Sequence, residues 1–168
     1  MTTCKHADRF DRLSWLLEAS GYTVNSRTMA SINDAVPGAC WRSEQGEVTI
    51  SRRGLRVAVL RLTGITDQPA APIIERTLTQ LFAETTQLHT FWDLEQLVNY
   101  HSDVRVFSTR VLLAHRAKLA SVHTLSTSRI VGMGVSVANL ALGGIIQMHK
   151  TRDSFDQALS RVASPQSR

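Results

Sequence analysis

Val48-Thr49-Ile50-Ser51-Arg52-Arg53-Gly54-Leu55-Arg56-Val57-Ala58-Val59-Leu60-Arg61-Leu62-Thr63-Gly64 is the stretch whose reading decides the fold. Val48-Thr49-Ile50 reads as a strand, Arg52-Arg53-Gly54 as a tight turn, and Leu55 to Leu62 as the returning strand. Val57-Ala58-Val59-Leu60 is apolar on both faces, the pattern of a strand covered on each side. Downstream, strand patterns at 88–94, 121–126 and 145–150 alternate with helical ones. Short strands separated by helices imply βαβ crossovers and one α/β sheet. The expectation is a mixed β-sheet of about five strands with crossover helices and an N-terminal helical extension.

The helical segments are read from their apolar stripes. After Thr63-Gly64, Thr66 or Asp67 can cap a helix that has Pro69 and Pro72 at its start and Ile74, Leu78, Leu81 and Phe82 on one face. Residues 103–119 turn Val104, Phe107, Val111 and Ala114 inward and leave Arg105, Arg110, Arg116 and Lys118 outside. A third helix, 129–142, is rich in small residues, follows Thr127 or Ser128 as cap, and breaks at Gly143-Gly144. Thr151 or Asp153 caps the last helix, whose Phe155, Leu159 and Val162 face the sheet before Ser164-Pro165 ends it.

Upstream, Phe10, Leu13, Leu16 and Leu17 recur at helical spacing over 7–20, and Gly21 suits the end of that helix. The expected organisation is an N-terminal extension over 1–45, docked through Trp15, the leucines and Trp41. An α/β domain over 46–164 and a disordered tail over 165–168 follow.

Composition bounds the class. A chain of 168 residues, 43% hydrophobic and 20% charged, carries a real core and is not a disordered polymer. The charge of +5 comes from 16 Arg and 3 Lys against 14 acids, which permits an acidic protein, anionic lipid or nucleic acid as partner. Nucleic acid is the least expected, because Phe and Tyr are sparse and no recognised binding motif is present. Cys4 and Cys40 belong to no CxxC pair, which favours a reducing cytoplasm. The opening MTTCKHADRFDR has no apolar run of a secretory signal. The most apolar stretch, Ile130 to Ile146, holds four glycines, Ser136 and Asn139 and is short of the ~20 residues of a membrane span, so no transmembrane segment is expected.

No catalytic set assembles in the sequence. His89, His123 and His149 fall in three strands, but no histidine pair has HxH or HxxxH spacing, so neither metal nor cofactor is expected. Gly132-x-Gly134 lacks the third glycine of a dinucleotide loop, Val137 standing there, and close packing of Gly132, Gly134, Ala138 and Ala141 on the sheet explains it better. Ser102, His101 and Asp93 lack a nucleophile elbow, so no triad is expected. Ser102 reads as a helix cap with Asp103 as a first-turn acid. Asp93, near a strand's C-terminal end, reads as a turn cap or an arginine partner, with ligand or partner binding as the sharper alternative.

Two stretches, Phe91-Trp92-Asp93-Leu94-Glu95-Gln96-Leu97-Val98-Asn99-Tyr100-His101-Ser102-Asp103 and Thr151-Arg152-Asp153-Ser154-Phe155-Asp156-Gln157-Ala158-Leu159, resemble the STAS domain in its SpoIIAA-like, anti-anti-sigma factor branch. The resemblance spans roughly 46–164. It places Asp93-Leu94 at a strand end and Ser102 where that family carries its phosphorylated serine. His101 stands where the family usually has Asp, and Asp103-Val104 replaces Ser-Gly. The resemblance implies a bacterial, non-enzymatic signalling or scaffold module. Such a module would bind a partner protein, or a second copy of itself, through Asp93, His101, Ser102, Asp103 and Arg105, with Arg105 and Arg110 steering an acidic partner. The alternative reading is a small-molecule or lipid-binding module with an apolar pocket beside the 129–142 helix.

Overall fold

The computed structural model describes residues 39–164. The helix expected over 7–20, with Trp15 and its leucines, and the tail over 165–168 lie outside the described residues.

The hairpin forms as its sequence dictates. Strand β2 (Gly46–Arg53) runs antiparallel to β3 (Val57–Thr66), and the turn between them holds Gly54 at φ 62°. Strand β1 (Ala39–Arg42) lies antiparallel along the other edge of β2. The sheet thus begins seven residues before the expected Gly46, and Trp41 is part of its core. Beyond β3 every pairing is parallel: β4 (Leu88–Asp93), β5 (Leu97–Tyr100), β6 (Leu119–Leu125) and β7 (Ile146–His149). The order is β1-β2-β3-β4-β6-β7, and β5 pairs with the far end of β3, past the point where β4 stops. Seven strands form where about five were expected. The additional two, β1 and β5, are four residues each and too short to show a period.

Helices α1 (Ala70–Glu84), α2 (Ser102–Ala114) and α3 (Arg129–Ala141) make the crossovers and pack on one face of the sheet. Helix α4 (Arg152–Ala163) covers the other face. Alternation along β3 explains its double apolarity: Ala58, Leu60 and Leu62 enter the larger core, while Val57 and Val59 meet Phe155 and Leu159 of α4. The stripe Ile74, Leu78, Leu81 and Phe82 is buried as read. Ser128 caps α3 and Thr151 caps α4, each hydroxyl accepting a backbone N–H of the first turn. Neither Thr66 nor Asp67 caps α1; its cap position is Pro69, which makes no side-chain bond. Lys118, in the 3₁₀ turn after α2, donates to the Phe82 carbonyl at 2.9 Å.

Gly46 and Gly64 face each other across β2 and β3. A Cβ on Gly46 would lie 2.2 Å from the Ile65 carbonyl oxygen, and one on Gly64 2.1 Å from that of Gln45. Gly64 also has φ 66°, so this crossing admits no side chain.

Candidate functional site

The N-terminus of α2 is built by the strand that precedes it. Leaving β5, the chain stays extended at His101 (φ −67°, ψ 141°), whose backbone N–H donates to the Thr66 carbonyl at 2.8 Å. His101, not Ser102, is the cap: its Nδ1 accepts the Asp103 backbone N–H at 3.3 Å. The helix begins one residue earlier than its apolar period indicated, because an imidazole takes the role usually given to a small oxygen side chain. Ser102 becomes the first helical residue, and it is exposed. The Asp103 carboxylate accepts from Gln68 Nε2 at 2.8 Å and lies 3.6 Å from His101 Nδ1. A ring nitrogen that accepts must be unprotonated, so the capping bond and a charged His101–Asp103 pair exclude each other.

One turn on, Arg105 makes no hydrogen bond or ion pair among the described residues. It lines an apolar cavity of about 80 Å³ between α2, α3 and the sheet, with Trp92, Val104, Leu112, Val131 and Leu142 among its walls. Tyr100 closes one side. Its hydroxyl rests where Gly134 lacks a side chain; a Cβ there would lie 1.7 Å from it. Gly134 therefore packs on the sheet through Tyr100 of β5, as read, whereas Ala141 is exposed. Ser108, also on the cavity wall, is buried with no partner for its Oγ among the described residues.

Asp93 lies elsewhere. Its side chain projects to the α4 face, opposite Trp92, and Arg152 donates to both of its oxygens. Glu95 accepts from Arg152 as well, and Arg61 approaches Asp93 at 3.9 Å. Hydrogen bonding to Asp93, above all, holds the Arg152 guanidinium firmly protonated. His101, Ser102, Asp103 and Arg105 share one helix end, then, while Asp93 is an arginine partner on the reverse side. Asp93, His101 and Ser102 do not converge on a reacting centre.

The three strand histidines form a row rather than a cage. His89 Nδ1 meets Ser121 Oγ at 2.8 Å, Ser121 meets His123 Nε2 at 3.0 Å, and His123 Nδ1 meets His149 Nε2 at 3.0 Å. His149 Nδ1 reaches Ser154 Oγ at 3.3 Å. His123 also stacks on Phe91 at 4.3 Å between centroids. Burial, followed by the charges of His149 and His89, pushes His123 down to about 4. Burial also lowers His149, and burial with the Arg56 charge lowers His89. Among the described residues no three His, Cys, Asp or Glu side chains are placed to hold a metal ion.

The basic surface is less free than the sequence suggests. Arg110 pairs with Glu75 at 2.6 Å and lies over Phe107, so it offers little charge to a partner. Arg52 is buried, donates to the Gly54 and Leu55 carbonyls at 2.9 and 2.8 Å, and pairs with Glu84. What the sequence concealed is apolar. Ile130, Met133, Val137 and Leu140 are 66, 68, 53 and 84% exposed. Their spacing of three, four and three puts them on one outer stripe of α3. The helix is apolar almost all round, so the period that marks a buried face could not separate its two sides. Among the described residues no helix is long and apolar enough to cross a membrane.

The architecture is the SpoIIAA-like, STAS fold. The anti-sigma factor antagonist SpoIIAA, in its unphosphorylated form, superposes with a TM-score of 0.52 at 18% identity, over 68% of this chain and 96% of that one. An uncharacterized protein of the DUF3478 family with a SpoIIAA-like fold, from Shewanella loihica PV-4, gives 0.50 at 12% identity, over 79% and 99%. Identities this low show the fold alone. No model of a known family matches the sequence, and neither does any curated protein.

Proposed function

We propose that this chain is a non-enzymatic regulatory module that docks a partner protein on the surface formed by the start of α2 and the outer stripe of α3. The observation that carries the reading is the run of Ile130, Met133, Val137 and Leu140 left in water along one side of α3. Contiguous apolar surface rimmed by polar groups marks protein interaction sites. A Cβ on Gly134 of the same helix would lie 1.7 Å from the Tyr100 hydroxyl and 3.6 Å from Arg105 Cδ, so α3 passes beside the His101–Arg105 segment. Arg105, unpaired among the described residues, supplies a positive charge that favours an acidic rim on the partner. Asp93 is not part of this surface; it fixes α4 to the sheet. The fold is shared with the anti-sigma factor antagonist SpoIIAA.

Ser102 is the residue of this surface most open to control. Its hydroxyl is exposed on the first helical residue, where the helix dipole favours added negative charge and neighbouring Asp103 opposes it.

Affinity purification from the native cell, followed by quantitative proteomics, tests the reading. Wild-type protein should recover a protein that Leu140→Asp and Ser102→Glu each lose, while Gln157→Glu on the reverse face retains it. Recovery of the same proteins by all four forms would contradict it.

A further inference from the structure

The cavity between α2, α3 and the sheet goes beyond partner docking. It measures about 80 Å³, where a single water needs roughly 10–15 Å³. Its walls are side chains of the main core, yet folding has not closed them together. Arg105, Ser108, Thr109 and Thr124 interrupt the apolar lining, and the first two lack side-chain partners among the described residues. Arg105 has neither a hydrogen bond nor an ion pair among the described residues. Ser108 is 92% buried, the complement of its 8% exposure, and its Oγ has no hydrogen-bond partner among the described residues. A buried hydroxyl without a partner is uncommon and calls for a missing ligand or water.

Arg105 and Ser108 are three residues apart on α2 and therefore lie on one side of it, a turn from each other. A carboxylate beside that turn would accept from the guanidinium and from the hydroxyl at once. An aliphatic chain attached to it would enter the space walled by Trp92, Leu112, Val131 and Leu142. Charge and shape thus select an amphiphile with a short apolar tail and an anionic head. We propose that this cavity binds a short-chain aliphatic monocarboxylate, its tail between α2 and α3 and its carboxylate on Arg105 and Ser108. Tyr100, seated on Gly134, forms the side wall, so the occupant borders the docking surface without covering the stripe.

Octanoate titrated into the isotopically labelled full-length chain, followed by NMR, tests this. Saturable shifts should centre on the Trp92 indole and the Gly134 and Val131 amides. Arg105→Gln should weaken octanoate by about tenfold and leave neutral 1-octanol within about twofold. Ser108→Leu should abolish both by filling the space, and Ser108→Ala, which removes only the hydroxyl, keeps the test valid if the leucine variant fails to fold. Ser108→Ala should weaken octanoate alone. Absence of saturable shifts with octanoate, shifts mapping outside these residues, or an Arg105→Gln effect equal for octanoate and octanol would overturn the assignment. None of these results depends on the partner surface, so the two readings fail separately.

Discussion

Arg152 holds Asp93 by two parallel hydrogen bonds of 2.9 Å each, joining the first turn of α4 to the C-terminal end of β4. The carboxylate is almost fully buried, and Glu95 and Asp156 stand beside the same guanidinium. Removing the arginine would leave the buried carboxylate beside Glu95 with only the looser 3.9 Å approach of Arg61, the costly half of breaking such a pair. Because Arg152 itself is partly exposed, Arg152→Ala should lower unfolding stability by about 1–3 kcal/mol. Denaturant titration at neutral pH measures this, and Arg152→Lys, which cannot bridge both oxygens, should fall between the two.

The histidine row predicts an acid sensitivity. His123 titrates at about 4 in the fold, against an ordinary 6.5 in an unfolded chain. The unfolded state therefore binds protons first as pH falls. Stability should be full above pH 6.5, decline from there to about 4, and level off below as far as this group is concerned. His89 and His149, lowered for the same chief reason, add to the decline. Urea midpoints between pH 7.5 and 4.5 test it: His123→Gln should flatten the slope, and an unchanged slope would refute the assignment.

At the β2–β3 crossing, Gly64→Ala meets both a left-handed backbone and a carbonyl 2.1 Å from the new methyl group. The backbone term alone costs roughly 1–3 kcal/mol, and the contact adds to it. Gly54→Ala, equally left-handed but with nothing within 4 Å, should cost less. Thermal melts of the two variants give the comparison directly.

On the outer stripe of α3 the expectation reverses. Leu140 is 84% exposed, so Leu140→Asp should change stability by no more than about 0.5 kcal/mol. It should nevertheless lose the partner protein that the wild-type chain recovers in affinity purification. A large loss of stability would mean that this stripe supports the fold rather than a partner.

Much of this architecture is legible in the chain because hydrophobic period and capping chemistry agree. Ile74, Leu78, Leu81 and Phe82 face inward as their spacing says, and Thr151 and Ser128 cap where a hydroxyl precedes a helix. β1 and β5 escape because four residues carry no measurable alternation. The cap at α2 escapes because His101 does the work expected of Ser102. Asp93 was readable as an arginine partner in kind, but Arg152 lies 59 residues away, beyond any local pattern. The cavity and the exposed stripe share one cause: α3 is apolar almost all round, and only the packing decides which of its sides meets the sheet. On α3 the structure buries Val131 and leaves Leu140 outside.

Site-specific photocrosslinking in the native cell tests the docking claim most directly. A benzophenone side chain placed at position 140, on the stripe, or at position 157, exposed on α4, reports which face meets another protein. The account predicts a discrete crosslinked protein from position 140, lost when Ser102→Glu is added, and none from position 157. Crosslinks from 157 alone, or the same products from both positions, would contradict it.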